Sequence, residues 1–144
     1  MYESTSRTQI SQGDIFVDVP VIYGKITGES DLRTVMAMLL THDCEYDKEE
    51  TKYVYVAQLV SLAGSSSKFV ESVRQRRVIA AFYLEPLSDV IDAMYVDLRR
   101  ISRIEKRFFQ QPSAKAILSL SDDARLALQR QIALFFGFGR GQNR

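Results

Sequence analysis

The sequence predicts a mainly β domain with some helix (α+β): a small, partly open barrel of about five strands with one C-terminal amphipathic helix. Three observations predict it. Segments rich in Val, Ile, Tyr and Phe follow one another with no helical pattern of about 10 to 15 residues between them until Ser121. Their connections are short and polar. From Ser121 onward the apolar period changes, with Leu128, Ile132 and Phe135 on one helical stripe.

Ile15 to Ile22 reads as the first strand, with Ile15, Val17, Val19 and Val21 on one face and Asp14 and Asp18 on the other. Pro20 lacks a backbone donor and marks an edge or a strand end. Gly24 to Arg33 has no apolar period and reads as a loop, and Val35 to Leu40 as a short buried strand. Tyr53 to Leu62 is rich in β-branched and aromatic residues and reads as a third strand. Gly64-Ser65-Ser66-Ser67 is a turn, and Phe69, Val70 and Val73 within Phe69 to Arg77 have helical spacing. Arg77 to Leu84 and Ala93 to Ile104 complete the strands, separated by a turn with Pro86, Ser88 and Asp89. Ser121 supplies an N-cap, Asp122 and Asp123 an acidic first turn, and Gly137 a left-handed stop. The tail Gly139 to Arg144 is expected to fray.

With 144 residues and 46% apolar content the chain reads as one domain, 1–144, able to bury roughly two thirds of its unfolded surface. Nineteen basic against 18 acidic residues, a net charge of +1, give no global attraction to nucleic acid or anionic membrane, so any such affinity must be local. The single Cys44 cannot form an internal disulfide, and the N-terminus has neither the basic flank nor the apolar run of a signal peptide. A cytoplasmic location, with no membrane partner, is therefore expected.

Three pieces of sequence, in order, carry a family resemblance. They are Gln12-Gly13-Asp14-Ile15-Phe16; Leu40-Thr41-His42-Asp43 followed by Tyr55-Val56-Ala57-Gln58-Leu59-Val60-Ser61; and Tyr95-Val96-Asp97 through Ile101-Ser102-Arg103-Ile104-Glu105-Lys106, then Leu118-Ser119-Leu120-Ser121 and a helix ending Phe135-Phe136-Gly137. Together they resemble the MazF/PemK toxin family in element order over nearly the whole chain. The resemblance implies an SH3-like barrel and an endoribonuclease-like toxin or its derivative. Such a protein would bind single-stranded RNA without a cofactor, as a homodimer with an antitoxin-like protein as partner.

That family uses an arginine before a proline at the second strand and a threonine or serine on the next. Here Arg33 stands near the arginine's place, Met36 falls at the proline, Val60 at the threonine, and Ser61 one residue further on. More loosely, the chain is similar to bacterial and phage proteins with a Gly-Asp-Ile-Phe start and a Ser/Thr-X-X-Cys-Asp/Glu centre, which imply no activity.

The candidate catalytic residues are accordingly Arg33, Thr41, His42 and Ser61. Arginine would stabilise charge developing on a phosphate, and an imidazole is suited to moving a proton near neutral pH. Thr41-His42-Asp43-Cys44-Glu45 also holds the only histidine and the only cysteine, two residues apart. A thiol nucleophile beside an imidazole base is one reading. The other is a strand-ending turn in which Thr41 or Asp43 bonds local backbone and Cys44 is a small core residue. In an extended strand the two α-carbons would be about 6 to 7 Å apart, too far for a sure hydrogen bond without a turn. A tetrahedral metal site lacks a second His or Cys, so no metal is expected.

Two basic clusters complete the candidates: Arg74, Arg76 and Arg77; and Arg99 with Arg100, Arg103, Lys106 and Arg107. They are interleaved with Phe82, Tyr95, Phe108 and Phe109, which suggests phosphate contacts beside stacked bases. A non-enzymatic barrel that binds nucleic acid or a protein through these clusters is the alternative to a nuclease. Phe136-Gly137-Phe138 is surplus to the helix stripe and suggests a dimer or partner surface.

Overall fold

A computed structural model of the protein describes residues 1–4 and 9–137. Tail residues 139–144 and Phe138, for which fraying and a partner surface were expected, lie outside the described residues. Five strands form one antiparallel sheet: β2 (Ile15–Gly24), β3 (Ser30–Leu39), β4 (Tyr53–Ser61), β5 (Ala81–Leu84) and β6 (Met94–Glu105). Their order is β2-β3-β4-β6-β5, so the sheet is open, with β2 and β5 at its edges. A small second sheet pairs β1 (Tyr2–Glu3) with β7 (Ser119–Leu120). Helices α1 (Asp43–Tyr46), α2 (Ser67–Arg74) and α3 (Asp122–Phe135) fill the connections and the C-terminal end.

Pro20 sits on edge strand β2, where its missing N–H breaks no ladder. The expected loop from Gly24 to Arg33 is much shorter: Gly24 pairs with Ser30 and Val21 with Arg33, leaving residues 25–29 as the turn. Polar residues concealed the strand there because it projects from the core. The expected face of β2 also needs correction. Phe16 pairs with Ala37 and Val19 with Val35, so Val17 and Asp18 oppose one residue, and Asp18 is left-handed at φ 55°. This bulge flips the alternation, leaving Val17 41% exposed and Phe16 buried. The strand expected from Arg77 begins only at Ala81, after the turn that follows α2.

Adjacent residues divide between two hydrophobic clusters: Ile15, Met38 and Ala57 in one, Phe16, Leu39 and Val56 in the other. Both sheet faces are therefore covered. Helix α3 packs on the first through Leu128, fully buried, with Ile132 and Phe135 half-buried. Its start is capped as the sequence predicts, Ala124 N donating to Ser121 Oγ at 3.3 Å, and Gly137 follows it at φ +79°. Helix α2 seals a third, smaller cluster of Leu62, Val73 and Ala81.

The Gln12-Gly13-Asp14 stretch is structural. Gly13 has φ +90°, and its N–H donates to Leu39 O at 2.8 Å. Asp14, buried, accepts from Ser11 N at 3.0 Å. A Cβ at residue 13 would stand 2.9 Å from Leu120 Cδ1. Gly13→Ala combines that overlap with an unfavourable backbone region and should destabilise the fold by more than about 1 kcal/mol. An unchanged urea midpoint would show that the turn relaxes freely. No helix of the described residues is long and apolar enough to cross a membrane.

Candidate functional site

The chain leaves β3 at Leu39 and turns at once into α1. Thr41 Oγ1 accepts from Tyr55 N at 2.8 Å, and Asp43 Oδ1 accepts from Gln12 N at 2.7 Å. His42 is the N-cap of α1, its Nδ1 accepting from Cys44 N at 3.2 Å. The turn supplies what an extended strand would not: His42 Nδ1 lies 3.1 Å from Cys44 Sγ. Cys44 is exposed, which corrects its expectation as a small core residue. The helical turn faces its side chain outward and sends Tyr46 into the core instead. The Nδ1 lone pair already receives the Cys44 amide proton, so the thiol competes for it. Beyond the pair, Lys48 donates to Glu45 Oε2 at 2.8 Å, which holds the Glu45 carboxyl below and raises the Lys48 ammonium above their ordinary ranges.

The other candidates are dispersed. Ser61 ends β4, six residues past Tyr55 and thus about 20 Å along the strand, with its Oγ accepting from Ala63 N at 3.1 Å. Arg33 lies within β3 rather than in a loop, eight residues before Thr41. It donates to Asp31 Oδ2 at 2.9 Å and stacks 4.9 Å from the Tyr23 ring centroid. Tyr23 in turn donates its hydroxyl to Gln58 Oε1. Thr41 and His42 adjoin each other, whereas neither Arg33 nor Ser61 shares a bond with them. Among the described residues no three His, Cys, Asp or Glu side chains gather as a metal-ligand set.

Most of the basic clusters are partnered locally. Ala57 pairs with Ile101 and Leu59 with Val96, so residues 97–100 bulge opposite Gln58 alone. Within that bulge buried Asp97 accepts from Arg99 N and Nε, at 3.0 and 3.2 Å, and lies 3.2 Å from Arg100 Nε. Arg107 pairs with Glu105, and Arg74 lies 3.8 Å from Glu71. Arg76 stacks over Phe82 at 5.2 Å and Lys106 donates to Lys48 O at 3.1 Å, whereas the bond of Arg77 to Ser72 O is made by its backbone amide and leaves its side chain out.

The aromatic residues expected among these cations are packed away: Phe82 and Phe109 are buried, Phe108 packs against the second cluster, and Tyr95 meets Phe69 edge-on. Tyr53 and Tyr55 of β4 are exposed instead, at 46% and 52%, as is Phe136 after α3. The two tyrosines were missed, although the alternation Tyr53-Val54-Tyr55-Val56 carries the signal: with both valines inward, both tyrosines face out. Arg103, the cross-strand partner of Tyr55, lays its guanidinium 4.4 Å from the Tyr53 ring centroid. It forms no ion pair among the described residues.

Three clefts meet around this group. One of about 880 Å³ runs between Ile22 and Leu32 of the β2–β3 hairpin and Ile101, Arg103 and Phe108. A second, of about 610 Å³, adjoins Tyr53 with charges of both signs: Lys52, Lys106 and Arg107 against Asp47, Glu49 and Glu105. The third, about 400 Å³, is an apolar groove of Leu40, Thr41, Tyr55, Ile101, Ile132 and Phe136. The chain matches no protein-family model and no curated protein.

Because Cys44 is exposed, native protein should react with iodoacetamide at pH 7 at a rate close to that of the denatured chain, as mass spectrometry would record. Protection by an order of magnitude would show the thiol shielded by the His42 turn.

Proposed function

We propose that the chain is a binding module for single-stranded nucleic acid, with RNA as the ligand its family resemblance favours, engaged on the β4–β6 face. The observation that carries this reading is the Tyr53, Tyr55 and Arg103 group: two exposed rings on one strand face, with an arginine free of any carboxylate among the described residues beside them. Exposed aromatics offer bases a stacking surface, and the guanidinium meets a phosphate. Along β6 and the turn after it, Arg99, Arg100, Arg103, Lys106 and Arg107 outnumber Asp97 and Glu105, so the strip is locally basic in a nearly neutral protein. Filter-binding or anisotropy titration with a short unstructured RNA tests the reading. Salt-sensitive binding supports it, and absence of binding at low ionic strength refutes it.

The His42–Cys44 contact of 3.1 Å favours a second reading, a thiol-dependent enzyme. Cys44→Ser separates the two, since the binding module keeps its RNA affinity without the thiol.

A further inference from the structure

We infer that the apolar groove beside Tyr55 receives an unpaired base and reads neither base identity nor sugar, so that the ligand class is any flexible single strand, DNA or RNA. This rests on the nucleic-acid reading above. The groove is lined by Leu40, Thr41, Tyr55, Ile101, Ile132 and Phe136; its two side-chain hydroxyls belong to Thr41, whose oxygen already accepts from Tyr55 N, and to Tyr55, and its surface is almost wholly carbon. Base edges are told apart by hydrogen-bond donors and acceptors, and RNA from DNA by the 2'-hydroxyl. Apart from those two hydroxyls the lining side chains carry no group able to do either, and polar atoms add almost nothing to the groove's surface. What remains is the face of a ring: Tyr55 on the strand and Phe136, 56% exposed, at the end of α3. Stacking on such rings tolerates every base.

Charge complementarity selects a nucleic acid over an apolar peptide. Arg103 stands opposite Tyr55 across the β4–β6 ladder and carries a positive charge that no carboxylate of the described residues pairs. A phosphate linking a base in the groove to one on Tyr53 would lie near it. Tyr53 and Tyr55, two residues apart on one strand, are about 6 to 7 Å apart at the α-carbons, a step that a single nucleotide of an unstacked strand can bridge. Ile101 lines both the groove and the larger cleft, so the path is continuous past Arg103. A paired base in a duplex has both faces stacked and cannot enter.

The test is fluorescence anisotropy with labelled oligonucleotides of about ten residues: oligo-dT, oligo-rU, a mixed-sequence DNA, and that DNA closed into a hairpin duplex. The three single strands should agree within about threefold, and the duplex should bind at least about tenfold more weakly. Tyr55→Leu keeps the groove apolar but removes the ring, and should weaken single-strand binding by about 5- to 100-fold with an unchanged thermal melt. A preference of more than about tenfold for RNA or for one sequence overturns this inference and leaves the nucleic-acid reading standing. Wild-type affinity in a folded Tyr55→Leu variant does the same. So does a stable dimer in solution that Tyr55→Leu converts to monomer, which would assign the groove to a second copy. Absence of binding by every single strand at low salt overturns both.

Discussion

Leu128→Ala should lower unfolding free energy by about 2–5 kcal/mol, read as a shift in urea midpoint at constant slope. Leu128 is the fully buried member of the α3 stripe, packed into a cluster with Ile15, Met38, Phe82 and Leu120 from both the main sheet and the small one. Removing its side chain leaves a void among residues from four separate strands, so no single element can move to fill it. Ile132 and Phe135 flank it on the same stripe but are only half-buried, and Ile132→Ala should cost less. A small shift for Leu128→Ala, near that of an exposed position such as Leu134, would mean that α3 is not docked on the sheet.

Replacing both Tyr53 and Tyr55 by alanine should nearly abolish single-strand binding, at about 1–3 kcal/mol for each ring. Both side chains are half exposed, so folding should be affected far less than binding. Charge reversal tests the same face by another route. Arg103→Glu should weaken binding of every sequence and reduce the salt slope by about 1 to 2, because a free cation is lost and an anion gained. Arg99→Glu should weaken binding less, since Arg99 is already bonded to Asp97 within the bulge. Equal effects at the two positions would show that local ion pairing does not decide which cations meet phosphate. Unchanged affinity in the double tyrosine variant would move the site off this face.

The sheet was legible because its period is written in apolar, mostly β-branched residues: Val54 and Val56, or Val96 and Leu98, leave little choice of face. Helix α3 was legible through its cap, acids and terminal glycine. What escaped was set by departures from the regular ladder. The bulge at Val17 and Asp18 reverses a face, and the bulge at residues 97–100 turns Arg99 and Arg100 toward one buried carboxylate. Neither bulge has a glycine or proline to announce it. The site was half legible: sequence proximity found the His42–Cys44 pair, and cation density found Arg103. Exposure was misjudged for Cys44 and for the aromatic rings, because it depends on which neighbour covers each side chain after folding.

Gln12 gathers bonds from widely separated parts of the chain. It donates through Nε2 to Leu40 O and through its amide to Asp43, while its carbonyl accepts from Arg125 Nε and its side-chain oxygen from Gln129 Nε2. The last two donors lie 113 and 117 residues further along the chain. On a ribosome adding about 5–20 residues per second, the earliest part of this knot therefore waits roughly 6 to 23 s for its final partners to be made. During synthesis the backbone around Gln12 must be satisfied by water or a chaperone, and its closure marks the moment at which α3 has emerged and docked.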